Sequence, residues 1–134
     1  MGDEKHSPRS RPVRILIVDG HAAARDGLAL LLSRQPDLAV VGATGGREEA
    51  LRLAAMHSPD VVVIDTSLVS DGGSLCEQFR KAYPATRILA WSLHSDGQAQ
   101  QVCATLADAY ILKELAPTEI IPAICRLLNG NASH

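Results

Sequence analysis

Five short apolar segments recur along the chain, and each is followed by a stretch whose apolar residues have helical spacing. The segments are rich in Val and Ile and are apolar at successive positions, which is typical of parallel strands covered on both faces. We therefore predict strands over Val13–Val18, Leu38–Gly42, Val61–Asp65, Ile88–Trp91 and Ala109–Leu112.

The stretches between these strands place apolar residues three and four positions apart, as on the buried face of a helix. Ser74 with Glu77, and Ser95 with Gln98, have the spacing of capping boxes and mark two helix starts. In the last helix an interior Pro122 would cost about 3 kcal/mol, so this helix either starts late or is kinked there. The alternation predicts an α/β fold of (βα)5 type, with a doubly wound, five-stranded parallel sheet in a three-layer αβα sandwich.

A length of 134 residues with 46% hydrophobic content suits one domain with one substantial core. We expect this domain over residues 13–128, a disordered leader over 1–12, and a tail or the start of a linker over 129–134. The net charge of −2 gives no basic field for direct contact with nucleic acid, and no segment is long enough to span a membrane. The three cysteines form no C-x-x-C pair, and a cytoplasmic location fits best.

Polar residues end four of the predicted strands, and ligands bind at this edge of an open parallel sheet. They are Asp19, Asp65, Ser92 and Lys113. Such a set suits phosphoryl transfer, with Asp65 as the carboxylate nucleophile and Asp19 with Asp65 as oxygen ligands for Mg²⁺. Lys113 and the Ser92 hydroxyl would then bind the phosphoryl oxygens.

Structural interpretations compete with these roles. Asp65 could cap a loop, and Asp19 could be the N-cap of the first helix. We expect His21 to be a solvated residue at the helix start and not a metal ligand. The segment 42–46 contains three glycines but lacks the spacing of a phosphate-binding loop, so we interpret it as a turn.

The stretches from Val13 to His21, Pro59 to Asp65 and Tyr110 to Lys113 resemble the receiver domains of bacterial two-component response regulators. The most similar branch is NarL/FixJ-like, whose members usually carry a C-terminal helix-turn-helix output domain of the LuxR type. The resemblance runs from Val13 to Leu128 and implies a flavodoxin-like, CheY-like fold.

The resemblance also implies roles for individual residues. Asp65 would accept a phosphoryl group from a histidine kinase, with Ser92 and Lys113 binding it. Tyr110 matches an aromatic residue that changes rotamer on activation. The metal site would comprise Asp19, Asp65 and Ser67, and the position of Ser67 also tunes the lifetime of the phosphorylated state.

The chain departs from the family pattern at several places. Gly20 stands where the family has a second acid that binds the metal directly, so Mg²⁺ binding should be weak or absent, with an affinity lower by roughly 10- to 100-fold or more. Leu68 and Val69 replace Met-Pro after Asp65, and 106–109 replace a Gly-Ala-x-Gly turn.

We expect a signalling receiver, and not an enzyme, that controls transcription through an output domain and forms a homodimer through its last helices. The alternative is a pseudo-receiver, disabled by Gly20, that acts as a dimerisation or ligand-binding module independent of phosphorylation. A more remote alternative is a small flavodoxin-like enzyme or nucleotide binder that uses Asp19 and Asp65 as an acid/base or metal pair.

Overall fold

The computed structural model describes residues 11–65, 72–92, 107–112 and 119–128, with the backbone alone at 72–74, 92 and 112. Within them lie five strands and four helices, which alternate along the first half of the chain. The strands are β1 (Val13–Val18), β2 (Leu38–Thr44), β3 (Val61–Asp65), β4 (Arg87–Ser92) and β5 (Ala109–Leu112). The helices are α1 (Ala22–Ser33), α2 (Arg47–His57), α3 (Gly72–Ala82) and α4 (Ile120–Leu128). The helix expected between β4 and β5 lies outside the described residues.

All five strands are parallel and form one sheet in the order β2-β1-β3-β4-β5. The chain moves from β1 to one side to form β2, and then crosses to the other side to form β3. This reversal makes a switch point between the carboxyl ends of β1 and β3, where open α/β sheets bind their ligands. The doubly wound parallel sheet predicted from the sequence is confirmed.

Helices cover both faces of the sheet. Successive strand residues point to opposite sides, so the continuous apolar strands present an apolar surface on each face. On one face, α1 and α4 pack on a cluster that includes Ile15, Ile17 and Val63. On the other face, α2 and α3 pack on a cluster that includes Leu16, Val18 and Ile64. Each fully buried aliphatic side chain contributes about 1.5–3 kcal/mol, so these two clusters account for most of the stabilisation of the central strands.

The start of α4 matches one of the two alternatives predicted from the sequence, whereas the start of α3 differs from its prediction. The helix α4 begins at Ile120, so Pro122 lies in the first turn, where a backbone N–H has no partner within the helix. The late start is therefore the correct alternative. The capping prediction for Ser74 is wrong, since α3 already begins at Gly72. The second capping pair, Ser95 with Gln98, lies outside the described residues.

None of the described helices has both the length and the apolar character needed to cross a membrane.

The turn before β5 shows how the chain replaces a glycine-rich turn. Asp108 makes two hydrogen bonds with the backbone of Ile88, both 2.8 Å long. Its N–H donates to the Ile88 carbonyl, and its side-chain Oδ2 accepts the Ile88 N–H. The same Oδ2 lies 2.8 Å from Arg80 Nη2 at the end of α3. Among the described non-glycine residues only Ser58 has a positive φ, so residues 107–109 adopt no conformation that requires glycine. Asp108 joins α3, β4 and β5 at the edge opposite the switch point.

We predict that Asp108→Ala lowers the free energy of unfolding by roughly 1–3 kcal/mol, because the buried Ile88 N–H loses its acceptor. Urea denaturation measures this change. Asp26→Ala, at an exposed position of α1, serves as the control and should change it by less than about 0.5 kcal/mol. Equal stabilities of the two variants would show that Asp108 does not hold the turn.

We also predict that Ser58→Gly stabilises the fold. Ser58 follows α2 with φ 47° and ψ 64°, a left-handed conformation in which glycine avoids a steric cost of roughly 1 kcal/mol. Thermal unfolding should show a higher Tm for this variant. The matched change Ser33→Gly, at the end of α1, should lower the Tm, because glycine is less favourable in a helix than serine by roughly 0.5 kcal/mol. A fall of the same size in both variants would contradict the prediction.

Candidate functional site

The site is built on the pairing of β1 with β3. Val18 of β1 pairs with Ile64 of β3, and the next residue along the chain is an aspartate in both cases. Asp19 and Asp65 are each only 2% exposed, although both are ionisable. The sheet therefore holds two carboxylates side by side at the switch point, as the sequence predicted for this edge.

Asp19 is held in place by contacts on both sides of its backbone. Its N–H donates to the Thr44 carbonyl at 2.9 Å, which continues the pairing of β1 with β2. Its own carbonyl accepts a hydrogen bond from Arg25 Nη1 at 2.9 Å. The Asp19 carboxylate also accepts the N–H of His21 at 2.9 Å. The N-cap of α1 is His21 and not Asp19, so Asp19 organises the turn before the helix while its carboxylate stays in the site.

The glycine-rich turn after β2 makes room for this arrangement. A Cβ at Gly45 would lie 2.8 Å from Arg25 Nη1 and 3.4 Å from the Asp19 carbonyl oxygen. Thr44 Oγ1 donates to Glu49 at 2.7 Å and accepts the Gly46 N–H at 3.2 Å. The interpretation of the whole segment 42–46 as a turn is wrong, because β2 continues to Thr44 and only Gly45 and Gly46 lie between it and α2. The contacts explain Gly45 and the Thr44 hydroxyl without a bound phosphate.

His21 lies closer to the site than the sequence interpretation allowed. Its Nδ1 is 3.3 Å from Asp19 Oδ1 and 3.3 Å from Asp65 Oδ2. The His21 side chain is 53% exposed, whereas the two carboxylates beneath it are 3% and 2% exposed. His21 is thus a solvated residue at the helix start, as expected, but its ring also contacts both carboxylates, which the sequence interpretation did not include. The available signal was its spacing: it follows Asp19 by two residues, after a glycine with no side chain to fill the pocket.

The three side chains form a group that could hold a cation. One ligand atom from each of Asp19, His21 and Asp65 lies within 4.8 Å of the other two. Two like unit charges about 5 Å apart repel by roughly 3 kcal/mol at an effective dielectric constant of about 20. A divalent ion between the carboxylates would replace this repulsion with attraction. Carboxylate oxygens fit Mg²⁺, whereas a ring nitrogen is a donor that transition ions accept more readily.

The remaining predicted site residues are described only in part. Asp65 pairs with Trp91, so Ser92 ends β4 one position farther along, and Ser92 pairs with Leu112 of β5. This register puts the backbone of Ser92 at the same edge of the sheet as Asp65. Tyr110 lies on β5, paired with Ala90, and is half-buried. Ser67 and Lys113 lie outside the described residues.

Comparisons with known proteins all identify the same family. The response regulator receiver domain family matches residues 15–125. The chain is 29% identical over 122 residues to the transcriptional regulatory protein DegU of Brevibacillus brevis, covering 90% of this chain and 52% of that protein. It is 30% identical over 122 residues to the nitrate/nitrite response regulator NarL of Escherichia coli K12, covering 89% of this chain and 56% of that protein. The chain thus spans about half the length of these relatives.

Solved structures agree with this match and extend it to the fold. A two-component response regulator of the LuxR family from Aurantimonas sp. SI85-9A1 has a TM-score of 0.79 at 33% identity, over 89% of this chain and 86% of that one. The signal receiver domain of NarL from Mycobacterium tuberculosis has a TM-score of 0.80 at 30% identity, over 90% of this chain and 98% of that one. Together with the sheet order and the paired carboxylates, these similarities show that the chain belongs to the response regulator receiver domain family, in its NarL-like branch.

Proposed function

We propose that this chain is a phosphorylation-controlled receiver of a transcription regulator and that Asp65 accepts the phosphoryl group. The observation that carries the proposal is the position of Asp65 at the carboxyl end of β3, 2% exposed and next to Asp19 at the switch point. A carboxylate on a rigid strand end keeps its geometry during a displacement reaction, in which the protein mainly positions groups and neutralises charge.

The proposed step is an in-line displacement at phosphorus. A carboxylate oxygen of Asp65 attacks the phosphorus of a phosphohistidine on a histidine kinase, and an oxygen–phosphorus bond forms as the nitrogen–phosphorus bond breaks. The electron pair of the broken bond stays on the leaving imidazole, which takes up a proton. The product is an acyl phosphate on Asp65. Water later hydrolyses this acyl phosphate to the free carboxylate and inorganic phosphate, which returns the signalling module to its unmodified state.

The residues present fit a divalent cation, but less favourably for Mg²⁺ than a site with a further acid. Asp19 and Asp65 would hold the ion, and Ser67 is the remaining proposed ligand. When bound, Mg²⁺ supplies positive charge against the incoming phosphoryl oxygens. Because Gly20 contributes no carboxylate, we propose that Mg²⁺ binds weakly and that phosphorylation is slow.

We further propose that the modified state is transmitted toward the last strand and helix. Ser92 and Lys113 would bind the phosphoryl oxygens, and Tyr110 on β5 would change rotamer in response. The position of Tyr110, half-buried on β5, supports this role. A homodimer through the last helices, a C-terminal helix-turn-helix output domain and a cytoplasmic location complete the proposal.

Gly20 and His21 favour one competing function. A receiver without the second acid, with an imidazole already against both carboxylates, could work as a binding or dimerisation module without being phosphorylated. The two functions differ in whether Asp65 of the unmodified chain accepts a phosphoryl group at all.

We predict that incubation of the chain with phosphoramidate and Mg²⁺ adds one phosphoryl group, measured by intact mass spectrometry. Asp65→Asn should abolish the addition, whereas Asp26→Asn, an exposed aspartate on α1, should leave it unchanged. Gly20→Asp should raise the rate by roughly 10- to 100-fold, because it restores an acid beside the metal site.

Three results would overturn this account in different ways. Labelling of Asp65→Asn would place the modification elsewhere. Labelling of Gly20→Asp without labelling of the natural chain would favour the phosphorylation-independent module. Folded protein that is labelled in neither form would exclude Asp65 as a phosphoacceptor.

A further inference from the structure

We propose that His21 is a third ligand of the cation site and that its nitrogen shifts the preference of the site from Mg²⁺ to a first-row transition-metal ion. This inference rests on the proposed function, since it concerns the cation that would assist phosphorylation of Asp65. In this chain His21 would supply the ligand that the family obtains from an acid at the position of Gly20.

The first support is geometric. Two ligand atoms that each lie about 2.1 Å from one ion are about 3.0 Å apart in octahedral and about 3.4 Å apart in tetrahedral geometry. His21 Nδ1 lies 3.3 Å from Asp19 Oδ1 and 3.3 Å from Asp65 Oδ2. Both separations fall within this range, and the three ligand atoms all lie within 4.8 Å of one another. Two atoms about 2.1 Å from one ion can be at most about 4.2 Å apart, so side-chain rotations that keep the two carboxylate oxygens within that distance let one ion contact all three atoms.

The second support is the way in which the backbone directs the ring. The His21 N–H bonds to Asp19 Oδ1 at 2.9 Å, and the His21 carbonyl accepts the first helical hydrogen bond from the Arg25 N–H at 2.9 Å. His21 is thus fixed between the end of β1 and the start of α1. Its side chain makes no capping hydrogen bond to the helix, so Nδ1 has no such contact to give up on binding an ion.

The third support is the chemistry of the donors. Mg²⁺ requires near-ideal octahedral oxygen ligation and loses water reluctantly, whereas imidazole suits Zn²⁺, Ni²⁺, Co²⁺ and related ions. Two carboxylates neutralise a divalent ion fully, and a neutral imidazole adds a donor without adding charge. Replacing an acid with this imidazole weakens the attraction for Mg²⁺ but preserves ligation of a borderline ion.

Burial gives the fourth support. The carboxylates lie beneath the protein surface at 3% and 2% exposure, while the His21 side chain is 53% exposed. The ring therefore lies on the solvent side of the carboxylates, where an ion reaching them from solvent would also meet the ring. The competing interpretation is that the ring hydrogen-bonds the carboxylates without binding an ion, and the test below distinguishes the two.

The test compares Co²⁺ with Mg²⁺, each added alone and measured by isothermal titration calorimetry. His21→Asn is the informative variant, because the asparagine amide can reproduce hydrogen bonds made at Nδ1 but is a poor metal ligand. We expect His21→Asn to lower the Co²⁺ affinity by roughly 10- to 100-fold and the Mg²⁺ affinity by less than about threefold. His57→Asn, at the other histidine in the described ranges, should change neither affinity.

A spectroscopic measurement identifies the bound atom directly. In the Mn²⁺ complex of the natural chain, pulsed electron paramagnetic resonance should show a directly bound nitrogen, and His21→Asn should remove that signal. Circular dichroism of each variant confirms that it is folded. Asp65→Asn should weaken binding of both Co²⁺ and Mg²⁺, which places the ion at this site.

Two outcomes overturn the inference. Equal Co²⁺ affinities for the natural chain and His21→Asn would show that the ring only hydrogen-bonds, and a nitrogen signal that survives in His21→Asn would assign the ligand to another residue. Neither depends on phosphorylation. If Asp65 is phosphorylated in the presence of Mg²⁺ but His21→Asn does not change the Co²⁺ affinity, the proposed function stands and this inference fails. If Co²⁺ binding depends on His21 but Asp65 is not phosphorylated, the cation site stands and the proposed function fails.

Discussion

The parallel pairing of β1 with β3 is the constraint on which the rest of the structure depends. Its register matches Val18 with Ile64, and the residue that follows each of them is an aspartate, at the point where the sheet reverses its winding. A shift of one residue would turn the alternating apolar side chains of β1 toward the wrong helices. The packing of both faces thus enforces the proximity of Asp19 and Asp65.

This proximity has an energetic consequence for the fold. Two nearly buried carboxylates repel each other and lose hydration, and the contacts of His21 with both of them offset part of this cost. Such local destabilisation is common where a protein must bind a charged ligand. The contacts of Asp19 with Thr44, Arg25 and His21 limit the motion of its carboxylate and keep the site preorganised.

The sequence predicted the sheet better than the details of the site. Strand positions followed from continuous apolar runs, and Asp19 and Asp65 followed from the rule that ligands bind at carboxyl ends of parallel strands. The start of α3 was missed because Gly72 and Gly73 have low helix propensity. The packing of Leu75 and Phe79 in the core stabilises the helix despite these glycines. His21 was missed because its role depends on a contact with Asp65, 44 positions away, which no local pattern encodes.

The central claim is that the register of β1 and β3, together with the turn at Gly20, makes one cation site from Asp19, His21 and Asp65. The most direct test is a crystal structure of the chain grown with Mn²⁺, with anomalous scattering collected at the manganese edge. The account predicts a single strong peak about 2.0–2.3 Å from a carboxylate oxygen of each aspartate and from His21 Nδ1. A peak at the two carboxylates with the His21 ring turned away, or no peak at this edge of the sheet, would contradict it.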